Sequence, residues 1–276
     1  MGCEHAVPGA KASVEQFEEN KLSEVKRVIA VLSGKGGVGK SLVTGALATE
    51  LSRQGSKVGI LDADITGPSI PKMFGMSGRR VGGIGNLLLP EVSERGVKVM
   101  SSNLMLANET DPVLWRAPMI AGAIRQFWSG TSWGPLDYLL VDMPPGTGDV
   151  ALTVFQSLPV DGIVIVTSPQ DLVSMIVAKG VNMAEKMSVP ILGVVENMSY
   201  VTCPDCGKKI EVFGESKLDA VASEHELRVL GRLPIDPVLA HAADTGTFEE
   251  ALPTGFLPDA VAAVAAVAPR ESEGAE

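Results

Sequence analysis

Three groups of residues in this sequence have the types and spacing to do chemistry. The first is GKGGVGKS, Gly34 to Ser41, which satisfies G-x-x-x-x-G-K-[ST], follows an apolar run and opens a helical pattern. Glycines in such a loop let backbone N–H groups turn toward phosphate oxygens, and the helix N-terminus adds positive potential. The expected nucleotide-binding segment is Gly34, Lys35, Gly36, Gly37, Val38, Gly39, Lys40, Ser41 and Leu42. Lys40 should reach the β- and γ-phosphates of ATP, and the Ser41 hydroxyl should ligate Mg²⁺. Lys35 is a second lysine, which an ordinary phosphate loop does not need.

The second group is acidic. LLVDMPPGTGD ends an apolar run in Asp142, the placement of a carboxylate that holds Mg²⁺ through water. ILDADITGPS places Asp62 and Asp64 at the end of another run. Either could cap a helix or form a turn, but carboxylates at the C-terminal edge of a parallel sheet lie where ligands bind. Asp64 is expected to orient the attacking water and Asp62 to serve the outer shell of the metal. The Gly and Pro after each Asp suit loops that reorder when a γ-phosphate is lost.

The third group is Cys203 and Cys206 in VTCPDCGKK. C-x-x-C spacing lets one tight turn aim two thiolates at a single metal, and Pro204 and Gly207 suit that turn. Structural zinc and iron–sulfur sites want four ligands. A two-fold dimer makes up the shortage, because two copies place four thiolates on the symmetry axis. Taken alone, CPDCG suggests zinc about as strongly as iron–sulfur. A disulfide redox pair is a third option, but a thioredoxin-like C-x-x-C opens a helix after a strand, and this one sits in an exposed loop before KKIEVFGES.

The elements that must position these groups alternate. Short apolar runs predict strands at Arg27–Ser33, Lys57–Asp64, Val97–Ser102, Asp137–Met143, Gly162–Ser168, Ile191–Asn197 and Arg228–Leu233. Helical patterns fill Lys40–Arg53, Pro112–Trp128, Leu172–Met187 and Lys217–Glu224. The alternation predicts an α/β fold, a mostly parallel β-sheet flanked by helices. One P-loop ATPase domain is expected over residues 26–268. Residues 1–25 read as an N-terminal arm with a short helix from Val14, and residues 269–276 as a disordered tail.

With 276 residues, 45% hydrophobic and 20% charged, the chain can bury a substantial core. A net charge of −10 argues against a nucleic-acid footprint. No apolar run approaches a membrane span, and the N-terminus has no secretory signal. Three cysteines without such a signal suit a reducing cytoplasm. His5, His225 and His241 share no metal spacing and read as surface residues.

KGGVGKS with Lys35 resembles the deviant Walker A of the group containing MinD, ParA and the nitrogenase iron protein. That resemblance implies that Lys35 reaches across a two-fold dimer to the partner's ATP. The charge it supplies acts as an arginine finger does. DADITGPSIPKMFG, WRAPM, AIRQFW, LDYLLVDMPPGTGD, VENMSY, CPDCG and GRLPIDP together resemble the Mrp/ApbC family of iron–sulfur cluster carrier ATPases. These motifs run from about residue 27 to 250. Ala117 departs from the family, which more often has Gly there. The resemblance implies a slowly hydrolysing ATPase homodimer. It would bind a bridging [4Fe–4S] cluster on Cys203 and Cys206, receive it from scaffold donors and pass it to recipient apoproteins. It further implies that Asn197, Pro234 and Asp236 frame the adenine; without it, they read as a strand end and a turn. Relatives carry a four-cysteine N-terminal motif, but this arm has Cys3 alone, so that site is not carried over. Rival readings are a positioning ATPase of the ParA or MinD kind, a reductase like the nitrogenase iron protein, and a zinc-stabilised scaffold dimer. The first leaves the cysteine pair unexplained and lacks a basic face or amphipathic tail. The reductase has widely separated cluster cysteines.

Overall fold

The structure, a computed structural model, describes residues 16–65, 67–106, 117–169 and 173–270. Among the described residues, nine strands form the main sheet: β1 (Val28–Ser33), β2 (Val58–Asp62), β3 (Glu91–Val92), β4 (Lys98–Met100), β5 (Tyr138–Asp142), β6 (Gly162–Thr167), β7 (Ile191–Thr202), β8 (Lys209–Ile210) and β9 (Val229–Pro234). Their order is β8-β7-β6-β1-β5-β2-β4-β3, with β9 on the free side of β7. All pairs are parallel except β3 with β4 and β8 with β7, at the two margins.

Parallel pairing requires crossovers, and these contain the helices α1 (Lys40–Arg53), α2 (Ile70–Met73), α3 (Ala117–Trp128), α4 (Asp149–Ser157), α5 (Val173–Met187) and α6 (Leu218–Glu224), while α7 (Pro237–Thr245), α8 (Phe248–Ala251) and α9 (Pro258–Ala265) follow the last strand. Both sheet faces are covered, so strands such as VIAVLS are buried throughout rather than alternately. Val28, Ala30 and Leu32 of β1 meet Ile124, Phe127 and Phe155 of α3 and α4. Ile29 and Val31 point the other way, among Leu47 and Leu51 of α1 and Val261 and Val264 of α9. Each such side chain contributes about 1.5–3 kcal/mol on burial.

The seven expected strands all form, within a few residues of their expected ends. The main exception is β7, which runs on from Asn197 to Thr202 and carries the chain out to Cys203. The helices expected over Pro112–Trp128 and Leu172–Met187 are seen from Ala117 and Val173; 112–116 and 172 lie outside the described residues. Helices α2, α4, α7 and α8 and the Gly82–Ile84/Leu87–Leu89 hairpin were not expected.

Residues 16–25, read as part of an appended arm, pack on the domain. Ser23–Val25 pairs in parallel with Gly134–Leu136, and the Asn20 amide donates to the Ser129 and Thr131 carbonyls. The buried Trp128 needs an acceptor for its indole N–H and finds it in the Phe17 carbonyl at 2.7 Å. The helix expected from Val14 does not continue through 16–20; Val14 itself, with Cys3 and His5, lies outside the described residues. Arg270 docks too, bonding the Val25 carbonyl and pairing with Asp161. Residues 271–276 of the expected tail lie outside the described residues. Among the described residues no helix is long and apolar enough to cross a membrane.

Candidate functional site

Strands β1, β2 and β5 end side by side, and their register decides what meets there. Asp142 is opposite Val31 on one side and Asp62 on the other. The turn after β1 is the glycine loop, which enters α1 at Lys40. Gly39 begins that helix at φ 82, a left-handed conformation that L side chains rarely adopt. A Cβ there would also lie 2.0 Å from the Asn197 amide nitrogen, so any larger residue would have to displace Asn197 as well as hold this φ.

Lys40 is almost completely buried, with Nζ 2.8 Å from Asp142 Oδ2 and 4.0 Å from Asp64 Oδ2. Despite the short ion-pair distance, Nζ makes no hydrogen bond of good geometry among the described residues. A buried ammonium in that state has donors to spare for a phosphate, which fits the role expected of Lys40. The Ser41 hydroxyl donates to Asp142 Oδ2 at 2.6 Å. Thr44, one helical turn on, donates to Asp142 Oδ1 at 2.7 Å. A hydroxyl and a carboxylate in contact at the mouth of the loop are the hard oxygen donors that Mg²⁺ takes.

Asp62 is fully buried and accepts from the Ser101 hydroxyl at 3.1 Å. Burial above all, and next the negative charge of Asp142, push its pKa up to about 8, while Lys40 and the Ser101 bond oppose the rise. Asp64, less buried, follows with its N–H on Asp62 Oδ1 at 3.2 Å. Thus Asp62, Asp64, Asp142, Lys40 and Ser41 are brought together as expected. Thr44 and Ser101 complete the group and had not been singled out. Thr44 was within reach of helical periodicity, three residues after Ser41; Ser101 directly follows β4 and only the sheet order brings it in.

Gly36 and Gly37 are exposed along the loop, Gly34, Lys35 and Leu42 are half-buried, and Val38 is buried. Asn197, on β7, donates to the Val38 carbonyl at 3.0 Å and so holds the loop directly. Pro234 ends β9 beside Tyr200, and the Asp236 carboxylate caps α7 by accepting from Val238 and Leu239.

The cysteines lie beyond this edge. Strand β7 continues past Asn197, and Val201 and Thr202 pair antiparallel with Ile210 and Lys209 of β8. CPDC is therefore the tip of a hairpin, closed by Cys203 N–H to Lys208 O and Gly207 N–H to Cys203 O, both at 2.9 Å. Six residues of strand separate Cys203 from Asn197, a span of at most about 20 Å. Both thiols are free, Cys206 exposed and Cys203 partly so. The backbone N–H of Cys206, then that of Asp205, then the Cys206 thiol bond to the Cys203 sulfur and hold its pKa below the usual thiol range. Donors of this kind favour a thiolate ready to ligate metal. Among the described residues no three His, Cys, Asp or Glu side chains converge on a possible metal position. His225, at the end of α6, is half-buried, and His241, on α7, is exposed.

A central parallel strand, a glycine loop with a buried lysine and an acidic neighbouring strand end define a P-loop NTPase. A family model described as "ParA: NUBPL iron-transfer P-loop NTPase" matches residues 24–266, and the chain belongs to that family. It is 49% identical over 249 residues to an iron-sulfur cluster carrier protein of Clostridium perfringens, covering 88% of this chain and 87% of that one. A protein of the same description from Methanocaldococcus jannaschii is 47% identical over 234 residues, 84% and 80% of the two chains. Among solved structures, a nucleotide-binding protein from Archaeoglobus fulgidus in complex with ADP superposes with a TM-score of 0.76 at 45% identity, covering 84% of this chain and 91% of that one. MinD of Aquifex aeolicus shares the fold alone, at a TM-score of 0.59 and 20% identity over 91% of this chain and 99% of its own.

Proposed function

We infer that this chain is an ATP-dependent carrier of iron–sulfur clusters. Two copies bind one [4Fe–4S] cluster through Cys203 and Cys206 of each, hydrolyse ATP slowly, and release the cluster to apoproteins. The observation that carries this reading is a hairpin tip offering two free cysteines, with a thiolate-favouring turn, on the same strand that holds the phosphate loop. Two ligands per chain leave a cluster half held, so a second copy completes it. The relatives described as iron-sulfur cluster carrier proteins support the choice of iron–sulfur over zinc.

In the ATP site the roles follow from position. Lys40 leaves Asp142 for the phosphates, and Ser41 and Asp142 hold Mg²⁺, the latter through water. Asp64, the more accessible acid, orients the water. Lys35, on the half-buried flank of the loop, supplies charge to the other copy's triphosphate. Asn197, Pro234 and Asp236 border the base. A reading as a positioning ATPase leaves the cysteine hairpin without a task.

Anaerobic reconstitution followed by iron, sulfide and zinc analysis and sedimentation tests the reading. About four iron and four sulfide per dimer are expected. Colourless protein with stoichiometric zinc, or a cluster on a monomer, would overturn it.

A further inference from the structure

Strand β7 touches both sites through two adjacent residues. Asn197 and Glu196 point to opposite faces, as neighbours on a strand do. Asn197 grips the Val38 carbonyl of the phosphate loop at 3.0 Å. Glu196 is fully buried and accepts from two serines: Ser199, on the leg leading out to the cysteines, and Ser216 at 2.7 Å, on the leg returning from them. The Ser216 hydroxyl also accepts the Leu218 N–H that opens α6, at 3.1 Å. Arg232 of β9 lies 3.7 Å from Glu196 and 2.6 Å from Asp219 of α6. One carboxylate thus anchors both legs of the 200–216 excursion.

Between Asn197 and Ser199 stands Met198 at φ 59, a left-handed conformation uncommon outside glycine. The β7–β9 register also breaks between Glu196 and Tyr200. This kink lets residue 197 serve the loop while residue 199 folds back on Glu196. Strain of this kind persists only where the surroundings over-determine it, and here the loop on one side and a satisfied buried carboxylate on the other do so.

We propose that Glu196 and Asn197, pivoting at Met198, form a relay. Through it, a displacement of the phosphate loop by nucleotide moves both legs of the cysteine hairpin together. Ser216 is then a positioning residue for Cys203 and Cys206, acting through Glu196. The purpose of such coupling rests on the carrier reading above, but the coupling itself belongs to the metal-free chain.

Amide hydrogen exchange across residues 200–212 tests it in full-length, metal-free protein. Wild type, Ser216→Ala and Met198→Gly are compared with and without saturating Mg·ADP, at a concentration where sedimentation shows one assembly state throughout. Nucleotide should change hairpin exchange by about fivefold or more in wild type. Both variants should bind Mg·ADP within about twofold of wild type, a change under half a kcal/mol, yet lose most of the hairpin response. Hairpin exchange indifferent to nucleotide in wild type overturns the relay, as does a full response in either folded variant. No cluster enters the measurement, so a chain that binds zinc still answers it, and a failed relay leaves cluster carriage standing.

Discussion

Asp62 and Asp142 stand directly opposite one another on the neighbouring parallel strands β2 and β5, both fully buried. Two carboxylates so placed cannot both ionise cheaply, and the structure divides their roles. Asp142 has the Lys40 ammonium and the Ser41 and Thr44 hydroxyls around it. Asp62 has the Ser101 hydroxyl and its pKa rises to about 8.

That division predicts how stability depends on pH in the nucleotide-free chain. The folded pKa of Asp62 lies above the ordinary value of 3.8, so the folded state binds the extra proton between about 4 and about 8. Its contribution is full below the unfolded pKa and is lost as pH rises through the folded one. Urea unfolding without Mg²⁺ should therefore show stability falling from pH 5 to 8, at up to about 1.4 kcal/mol per pH unit. Asp62→Asn should flatten the profile. Superimposable slopes for the two proteins would mean that Asp62 is ionised in the fold.

The two lysines of the loop should separate binding from turnover. Lys40→Ala removes the buried cation at the phosphates and should abolish productive ATP binding. Lys35→Ala should keep most of the binding and lose hydrolysis with nucleotide-dependent dimer tightening; loss of a charge supplied in trans costs about 10³-fold or more in comparable sites. Equilibrium titration and turnover on both variants check this. Wild-type hydrolysis by Lys35→Ala excludes the trans role.

Asp64→Asn and Asp142→Asn should also behave differently. Asp64 is only 4.0 Å from Lys40 and partly accessible, so its loss should slow hydrolysis and leave Mg·ATP bound. Asp142→Asn leaves Lys40 without its charged partner in a buried site, which costs about 3–5 kcal/mol of stability, and it should weaken the Mg²⁺ dependence of binding. Titrating Mg²⁺ against nucleotide affinity distinguishes them. Identical curves would show the roles wrongly divided.

The parts of this site legible in the sequence are those held by local chain geometry. GKGGVGKS, the strand-end acids and C-x-x-C each lie within a few residues, and each carries its structural context with it. What could not be read depends on which strands are neighbours. Ser101 reaches Asp62 only because β4 pairs with β2, and Ser216 reaches Glu196 only because the hairpin folds back. The extension of β7 was hidden because NMS interrupts the apolar run, and the strand resumes beyond it only after a left-handed kink at Met198. Residues 16–25 were hidden for a related reason: their polar sequence says nothing of the buried Trp128 indole that donates to the Phe17 carbonyl.

Gly39 and Asn197 should be energetically coupled. Gly39→Ala places a methyl group where the Asn197 amide lies and asks a residue with a Cβ to hold φ 82. Nucleotide binding should fall by about tenfold or more, given 1–3 kcal/mol of backbone strain alone. Adding Asn197→Ala removes the clash but not the backbone strain, so the double variant should be less impaired than the sum of the singles, by about 0.5–3 kcal/mol. Calorimetric affinities for the four proteins of the cycle measure this directly. Strict additivity would show that the loop can move away from Asn197.

The cysteine hairpin gives the sharpest test of stoichiometry. If Cys203 and Cys206 of two copies hold one cluster, changing either to Ala removes two of four ligands, because symmetry doubles every substitution. Each single variant should lose the cluster almost completely after anaerobic reconstitution, with the broad sulfur-to-iron absorbance near about 400 nm gone. The exposed turn has little packing to lose, so both variants should keep wild-type unfolding midpoints. ATP binding should survive as well, since the thiols stand at the hairpin tip, six residues beyond the Asn197 that contacts the phosphate loop. Cys3→Ala should keep the cluster. A full cluster on Cys203→Ala would place the iron on other ligands and end the bridging assignment.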